Sequence, residues 1–286
     1  MKILKIKELL NKGYKILKEE KIESYILDCQ LILGKVLNLD RMSIIINGNL
    51  EVSEDKAYEY FGLIKKRKLR MPIKYITETV EFMGIDFYIK EGVLIPRPDT
   101  EVLVEEVLKE INKRKLKKVC DVCCGSGAIG LSIAKLLENT IVVCSDIDDT
   151  ALEVTQKNID NLSLKSRASV VKSDLLKFAI DENLYFDVVV SNPPYIKKDI
   201  IPTLMEDVKK YEPYIALCGG EDGLDFYKKI TKESILVLKS GGVLAYEIGY
   251  DQAEAVSDIL KQYNYTDIRV VKDLSGLDRV VIGVKI

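Results

Sequence analysis

Asn192-Pro193-Pro194-Tyr195 sets a primary amide, two ring-locked backbone units and a phenol at consecutive positions. Two prolines in a row cannot continue a central strand, because they lack N–H donors and fix φ. They make a rigid loop after the strand-like run YFDVVVSN (185–192), at the carboxyl end of a sheet, where open α/β proteins bind ligands. A planar –NH2 group presented there can donate one hydrogen to the Asn192 side-chain oxygen and the other to the Pro193 carbonyl. Tyr195 can stack on its flat face. Pulling on both hydrogens favours a pyramidal nitrogen and localises a lone pair that is otherwise delocalised. The competing reading is a structural Pro-Pro turn.

A second constellation, Asp121-Val122-Cys123-Cys124-Gly125-Ser126-Gly127, ends the strand-like KKVCDVC (117–123) and precedes a helical pattern. Glycine-rich turns of this kind let backbone N–H groups and a helix N-terminus approach a ligand closely. A dinucleotide site would carry GxGxxG. The run here is D-x-C-x-G-x-G, which resembles the nucleotide loop of class I S-adenosylmethionine-dependent methyltransferases, [DE]-x-G-x-G-x-G. Cys123 stands at the first glycine and fits if the backbone there needs no positive φ. About 20 residues on, Asp146 ends the next strand, where its carboxylate can accept both hydroxyls of an adenosine ribose. Asp148 and Asp149 read as helix caps. At the end of the third strand, Asp174 can accept from an exocyclic amine and Leu175 can cover the ring, or both are turn residues. With a sulfonium methyl held by this loop, Asn192 and Pro193 would aim the amine lone pair at it. The nitrogen sheds its proton afterwards, so no strong base is needed.

The 286 residues contain no histidine. That excludes Ser/His/Asp and Cys/His triads, His-ligated metal sites and an imidazole base. The six cysteines (29, 120, 123, 124, 144 and 218) are irregularly spaced and read as reduced thiols of a cytoplasmic protein. The CxxCC run has no second ligand pair to close a zinc site, so no metal is expected. No apolar h-region and no apolar run near membrane length is present, so no membrane association is expected.

The elements that must position these residues fall into two patterns. Through residue 70 the spacing is helical: Ile3, Ile6, Leu9/Leu10 and Ile16/Leu17, then Tyr25/Ile26, Cys29, Ile32/Leu33 and Val36/Leu37. A third helix starts at Ser53, with Glu54 and Asp55 in its first turn, and ends in the basic run KKRKLR (65–70) before Pro72. Two strand-like runs then meet at Met83-Gly84 as a hairpin. From residue 97, strands alternate with helices: a helix over 99–114, strands at 117–123, 140–146, 168–174 and 185–192, a helix near 224–238, and a strand at 241–248. A helix from Gln252 and two closing runs, 266–273 and 278–286, complete the chain. This is an α/β domain with a mostly parallel seven-stranded sheet, into which the terminal hairpin brings one antiparallel strand. The expected division is a helical substrate-recognition domain over 1–72, a β-hairpin linker over 73–96 and a methyltransferase domain over 97–286.

Charge divides the same way. Through residue 75 there are 16 Lys/Arg against 10 Asp/Glu, a balance of +6, and the remaining 27 against 35 give −8. An acidic catalytic portion argues against phosphate tracking. The basic N-terminal part keeps an amino-methyltransferase of DNA or RNA bases in view. A non-catalytic adenosine-nucleotide sensor would bind cofactor without turnover and gives no reason for the rigid Asn-Pro-Pro-Tyr loop.

Longer segments carry a more specific resemblance: GVLIPRPDTEVLVE (92–105), the loop 121–127, VVSNPPYI (189–196), EPYIALCGGEDGLDFYKKI (212–230), AYEIGYDQAEAV (245–256) and the terminal DRVVIGVK. Together they resemble the HemK/PrmC family, the N5-glutamine methyltransferases of class I peptide-chain release factors. The family pattern has Glu where Asp99 stands. The resemblance implies S-adenosyl-L-methionine as cofactor and a glutamine in the Gly-Gly-Gln loop of a release factor as methyl acceptor, with no direct nucleic-acid binding. Carried over residue by residue, Cys123, Cys124, Gly125, Ser126, Gly127 and Asp146 would hold the cofactor. Asp174 and Leu175 would border the adenine, and Asn192, Pro193, Pro194 and Tyr195 would bind the glutamine amide. Arg97 either orders the pocket entrance or makes a surface salt bridge. Glu247, at the end of a later strand, carries the same two readings.

Overall fold

A computed structural model describes residues 4–286, and Ile3, placed by the spacing at the head of the first helix, lies outside them. The chain divides into two units, one running through Thr79 with Met205–Tyr211 added, the other comprising Val80–Leu204 and Glu212–Ile286.

The first unit is helical: β1 (Leu4–Lys5), α1 (Ile6–Glu19), α2 (Tyr25–Leu37), α3 (Arg41–Ile46), β2 (Glu51–Val52), α4 (Glu54–Lys68) and α5 (Ile73–Thr77). The expected apolar spacings become its core, with Ile6, Leu9, Leu17, Ile32 and Leu33 fully buried around Tyr60 and Ile64 of α4. Two features lie beyond the periodicity. The two-residue strands β1 and β2 pair antiparallel, and the short helix α3 is capped by Asp40, whose side chain accepts from Ser43 N. The unit also runs past residue 72, because Ile76 of α5 joins its core. The helix Glu206–Tyr211, α10 in chain order, is tied to it by the Tyr211 hydroxyl, which donates to the Leu69 carbonyl at 2.6 Å.

The basic run at 65–70 is not one solvated face. Tyr60, Ile64 and Arg67 recur at helical spacing on the buried side of α4. Arg67 Nε donates to Asp28 Oδ2 at 2.7 Å, and both side chains are nearly inaccessible. Lys65, Lys66 and Lys68 remain exposed.

The second unit opens on the hairpin β3 (Thr79–Phe82) and β4 (Ile85–Tyr88). Met83 and Gly84 both have positive φ (54° and 70°), the backbone of a tight two-residue turn. Next come α6 (Glu101–Arg114), β5 (Lys118–Val122), α7 (Ala128–Leu136), β6 (Ile141–Asp146), α8 (Asp149–Asn161), β7 (Ala168–Lys172), α9 (Lys177–Asp181) and β8 (Phe186–Ser191). The chain ends with α11 (Asp225–Val237), β9 (Leu238–Glu247), α12 (Ala253–Gln262), β10 (Tyr265–Lys272) and β11 (Asp278–Lys285). Sheet order is β10-β11-β9-β8-β5-β6-β7. Strands β5 to β9 run parallel, and β11 lies antiparallel between β9 and β10. The parallel strands read as unbroken apolar runs because helices cover both faces. One boundary differs from its expectation: β9 begins at Leu238, with no loop after α11. Gly241, at φ 77°, sits inside the strand where the β8–β9 register shifts, so the glycine pair that opened the expected strand is an internal bulge.

Candidate active site

Strand order reverses between β8 and β5, the switch point at which open α/β sheets form a crevice. The loops after β5, β6, β7 and β8 all emerge there and line one cavity of about 250 Å³. It brings together Cys123, Cys124, Gly125, Ser126, Asp146, Asp174, Leu175, Asn192, Pro194 and Arg97. Gly127, Pro193 and Tyr195 are not among its lining residues.

Each loop has a physical reason for its shape. Asp121, on the last turn of β5, is fully buried and accepts the Gly130 N–H at 2.8 Å through Oδ2. It thereby satisfies one of the orphan donors in the first turn of α7. Gly130 must be glycine, because a Cβ would sit 2.9 Å from Asp121 Cβ and 3.0 Å from its Oδ2. Gly127 caps α7 at φ 76°, and an added Cβ would press on Leu131 and Thr155. Its role is to shape the turn. Cys123 adopts φ 58°, so the positive angle that the glycine pattern implies is present, and a cysteine bears it. For a non-glycine residue this costs on the order of 1–2 kcal/mol. At Gly125, φ 57°, a Cβ would meet only Val93 at 3.7 Å, leaving the backbone open to the cavity.

Asp146 accepts from Gly125 N at 2.8 Å through Oδ2 and from Asp148 N at 3.0 Å through Oδ1. Each oxygen keeps a lone pair for a further donor. Burial raises its pKa, and the backbone N–H groups of Asp148 and Gly125 oppose the rise. Asp148 caps α8 through Thr150 N and Ala151 N, whereas Asp149 is exposed and pairs with Lys172. Leu175 is buried at φ 52° and Asp174 is exposed, both on the cavity wall. Arg97 reaches the buried carboxylate of Glu212 at 2.5 Å, so its ion pair is set into the wall.

The Asn-Pro-Pro-Tyr turn is clamped from behind. Ile196 bridges Cys218, and Gly219 N donates to the Ile196 carbonyl at 2.9 Å. A Cβ on Gly219 would lie 2.7 Å from both the Pro194 oxygen and Tyr195 Cα, and one on Gly223 would lie 2.5 Å from the Tyr195 oxygen. Gly219 and Gly223 of Cys-Gly-Gly-Glu-Asp-Gly therefore let this segment lie on that turn, while Gly220 leaves room for the Asp225 carboxylate. Gln252 finishes the clamp: Nε2 donates to the Tyr195 carbonyl at 3.0 Å, and Oε1 accepts from Gly249 N at 2.9 Å and the Tyr227 hydroxyl at 3.3 Å.

Comparison with known proteins agrees with this architecture. Residues 8–77 match the PrmC N-terminal domain model and residues 98–208 the methyltransferase small domain model. A release factor glutamine methyltransferase of Clostridium botulinum is 54% identical over 276 residues, 96% of this chain and 98% of that protein. Its counterpart in Clostridium acetobutylicum is 53% identical over 282 residues, 99% of each. The chain belongs to the HemK/PrmC family of release factor glutamine methyltransferases. A solved 16S rRNA N2 G1207 methyltransferase of T. thermophilus, 18% identical with TM-score 0.52 over 73% of this chain and 50% of its own, shares the fold.

In this HemK/PrmC member, several wall residues lie within the segments that carry the resemblance but have no role assigned there. Thr100, Phe226 and Lys229 line the cavity, as do Val93 and Leu94 ahead of the Pro-Arg-Pro run. Gln252 lies in the AYEIGYDQAEAV segment with no role assigned from sequence, and only the close-set glycines at 219 and 223 signal backbone contact.

Asp121 yields a pH prediction. Burial, with the Asp146 charge added and the Gly130 hydrogen bond opposing, pushes its pKa up to about 7. The folded value exceeds the unfolded one of about 3.9, so stability present below pH 4 is lost as pH rises toward 7, by up to about 4 kcal/mol. Asp121→Asn can still accept from Gly130 and carries no charge. Its melting temperature relative to the parent should climb from pH 4.5 to about 7 and then level off, and a flat difference would show that Asp121 is ionised throughout.

Proposed function

We infer that this chain transfers a methyl group from S-adenosyl-L-methionine to the side-chain amide nitrogen of the glutamine in the Gly-Gly-Gln loop of class I release factors. The observation that carries the reading is the Asn192 amide. Its Nδ2 is engaged by Thr100 Oγ1 at 3.4 Å, which leaves Oδ1 as an acceptor on the wall shared with the loop at 123–127 and Asp146. Near-complete coverage at 53–54% identity supports the substrate class.

The cavity suits the cofactor by its own construction: an open backbone cradle at Gly125, a carboxylate with spare lone pairs for a vicinal diol at Asp146, and an apolar cover at Leu175. When bound, the cofactor supplies a sulfonium methyl as electrophile. The turn from Cys123 to Ser126 and Asp146 would hold it, with Gly127 shaping the turn and Asp174 and Leu175 at the adenine. Asn192 Oδ1 on the cavity wall and the Pro193 carbonyl, in the same turn just outside that lining, would accept the two hydrogens of the glutamine –NH2 and orient its lone pair. Pro194 keeps that geometry rigid, and Arg97 orders the wall through Glu212. Tyr195 acts from behind the wall, its hydroxyl on Glu247. No imidazole enters the scheme, which suits a chain without histidine.

The helical domain, read from sequence as 1–72 and in the folded chain reaching Thr79, is proposed to recognise the protein substrate. The hairpin near 79–88 is proposed as the link to the methyltransferase domain. Among the described residues, no helix is long and apolar enough to cross a membrane. Action in the cytoplasm, without direct nucleic-acid binding, completes the proposal.

The test offers radiolabelled S-adenosylmethionine with purified release factor, the same factor lacking the Gly-Gly-Gln glutamine, duplex DNA and RNA. Label should enter the intact release factor alone. Label on nucleic acid would return the base amino-methyltransferase reading, and binding without transfer would return the sensor.

A further inference from the structure

The wall at Asn192 is built from elements far apart in the chain. Asn192 follows β8, Thr100 closes the short 3-10 turn Pro98–Thr100 ahead of α6, and Glu247 is the last residue of β9. Asn192 Nδ2 donates to Thr100 Oγ1 at 3.4 Å, and the Tyr195 hydroxyl donates to Glu247 Oε1 at 3.1 Å. Glu247 is 2% exposed, and its Oε2 has no hydrogen-bond partner.

An asparagine beside a hydroxyl has two poses of nearly equal merit. The hydroxyl can accept from Nδ2 or donate to Oδ1, and the amide turns over accordingly. Only one pose leaves an acceptor facing the cavity. What breaks the tie must claim the hydroxyl's proton, and an ionised carboxylate, which can only accept, does this.

We propose that Glu247 is a positioning residue: its buried carboxylate takes the hydroxyl protons of Tyr195 and Thr100, so that Thr100 offers Asn192 only lone pairs and holds the amide with Oδ1 toward the cavity. The proposal rests on the reading of Asn192 as acceptor for the substrate amine. Tyr195 fits the same scheme, since its hydroxyl donates to the carboxylate and pins the turn that carries Asn192.

The groups facing Glu247 are Thr100, Tyr195, Arg279 of β11 and Asp99. Burial raises its pKa, the neighbouring Thr100 hydroxyl, the Arg279 charge and the Tyr195 hydroxyl lower it, and Asp99 raises it. Arg279 is itself held by Asp273 at 3.0 Å and Asp99 at 3.6 Å. Protonation turns the carboxylate into a donor and releases the Thr100 proton. Turnover should therefore fall on the acid side, at a pH above the ordinary glutamate range.

The test uses the full chain and three variants: Glu247→Gln, equal in shape but a donor; Thr100→Val, without a hydroxyl; and Thr100→Ser, which restores it. Glu247→Gln and Thr100→Val should each lower kcat about 10²-fold. The S-adenosylmethionine Kd should stay within about threefold, the acid limb should vanish in Glu247→Gln, and Thr100→Ser should recover most of the loss. A part that is merely structural would instead weaken cofactor binding and keep the acid limb. A second readout needs no turnover: the Asn192 side-chain –NH2 resonance, assigned by its absence in Asn192→Ala, should shift and exchange about tenfold faster in both variants. If that resonance is indifferent, the proposal is overturned whatever the rates do. If it responds while the parent enzyme does not methylate glutamine, the positioning role stands and the assigned reaction fails.

Discussion

Asn192→Ala should lower glutamine methylation by about 10²–10³-fold, the size of effect seen when one preorganised transition-state hydrogen bond is deleted. The loss belongs in the chemical step. An amide nitrogen is a poor nucleophile until its hydrogens are held, and Asn192 lines the cavity with Nδ2 engaged by Thr100 and Oδ1 proposed as the acceptor. Cofactor affinity should stay within several-fold, because the groups assigned to it sit on the loops after β5, β6 and β7. Stability should change little, since Asn192 is only half-buried and its side chain is engaged by Thr100 through a long 3.4 Å contact. Single-turnover transfer, cofactor titration and a melting curve separate the three. Unchanged turnover would remove Asn192 from the mechanism.

Arg67→Ala should destabilise the helical unit by about 3–5 kcal/mol, the range for breaking a buried ion pair from one side. Asp28 is 1% exposed, and its Oδ2 accepts from both Arg67 Nε and the Ser24 hydroxyl at 2.7 Å. Without the guanidinium the carboxylate keeps only the hydroxyl, and the Met71 carbonyl loses its donor, Arg67 Nη1 at 3.0 Å. A chain with two units need not unfold in one step, so a global midpoint is the wrong gauge. Hydrogen exchange in the intact protein is better: amides of α2 and α4 should lose about two to three decades of protection while β5 and β8 keep theirs. Replacing the pair together, Asp28→Leu with Arg67→Met, should recover most of the loss. Equal protection in Arg67→Ala would mean the pair contributes little beyond its own desolvation.

The Arg67 case also shows where sequence reading stops. KKRKLR reads as a basic run, and four of its five cations meet that description. Helical phase turns the remaining one inward, but phase alone does not reveal that Asp28 waits there, 39 positions away. The same division holds at the active site. Apolar strands alternating with helices, a glycine turn before α7, a carboxylate closing β6 and a proline pair closing β8 are all local patterns, so residue types and spacing reveal them. Cys123 is a partial case: the pattern names a glycine position, and only the backbone, at φ 58°, shows that cysteine accepts the same angle.

What the sequence alone determined is the mostly parallel sheet, the loops that face its carboxyl ends, and the kind of chemistry a histidine-free asparagine site can perform. Tertiary structure decided which distant residues stand behind those loops. Thr100 meets Asn192 across 92 positions, Glu247 meets Tyr195 across 52, and Gln252 ties the turn to Gly223 and Gly249. These partners follow from strand order, which places β9 beside β8, and from the packing of α6 against β9. Periodicity records which face of an element is buried. It does not record what is buried against it, and the direction in which an amide faces is settled by that second fact.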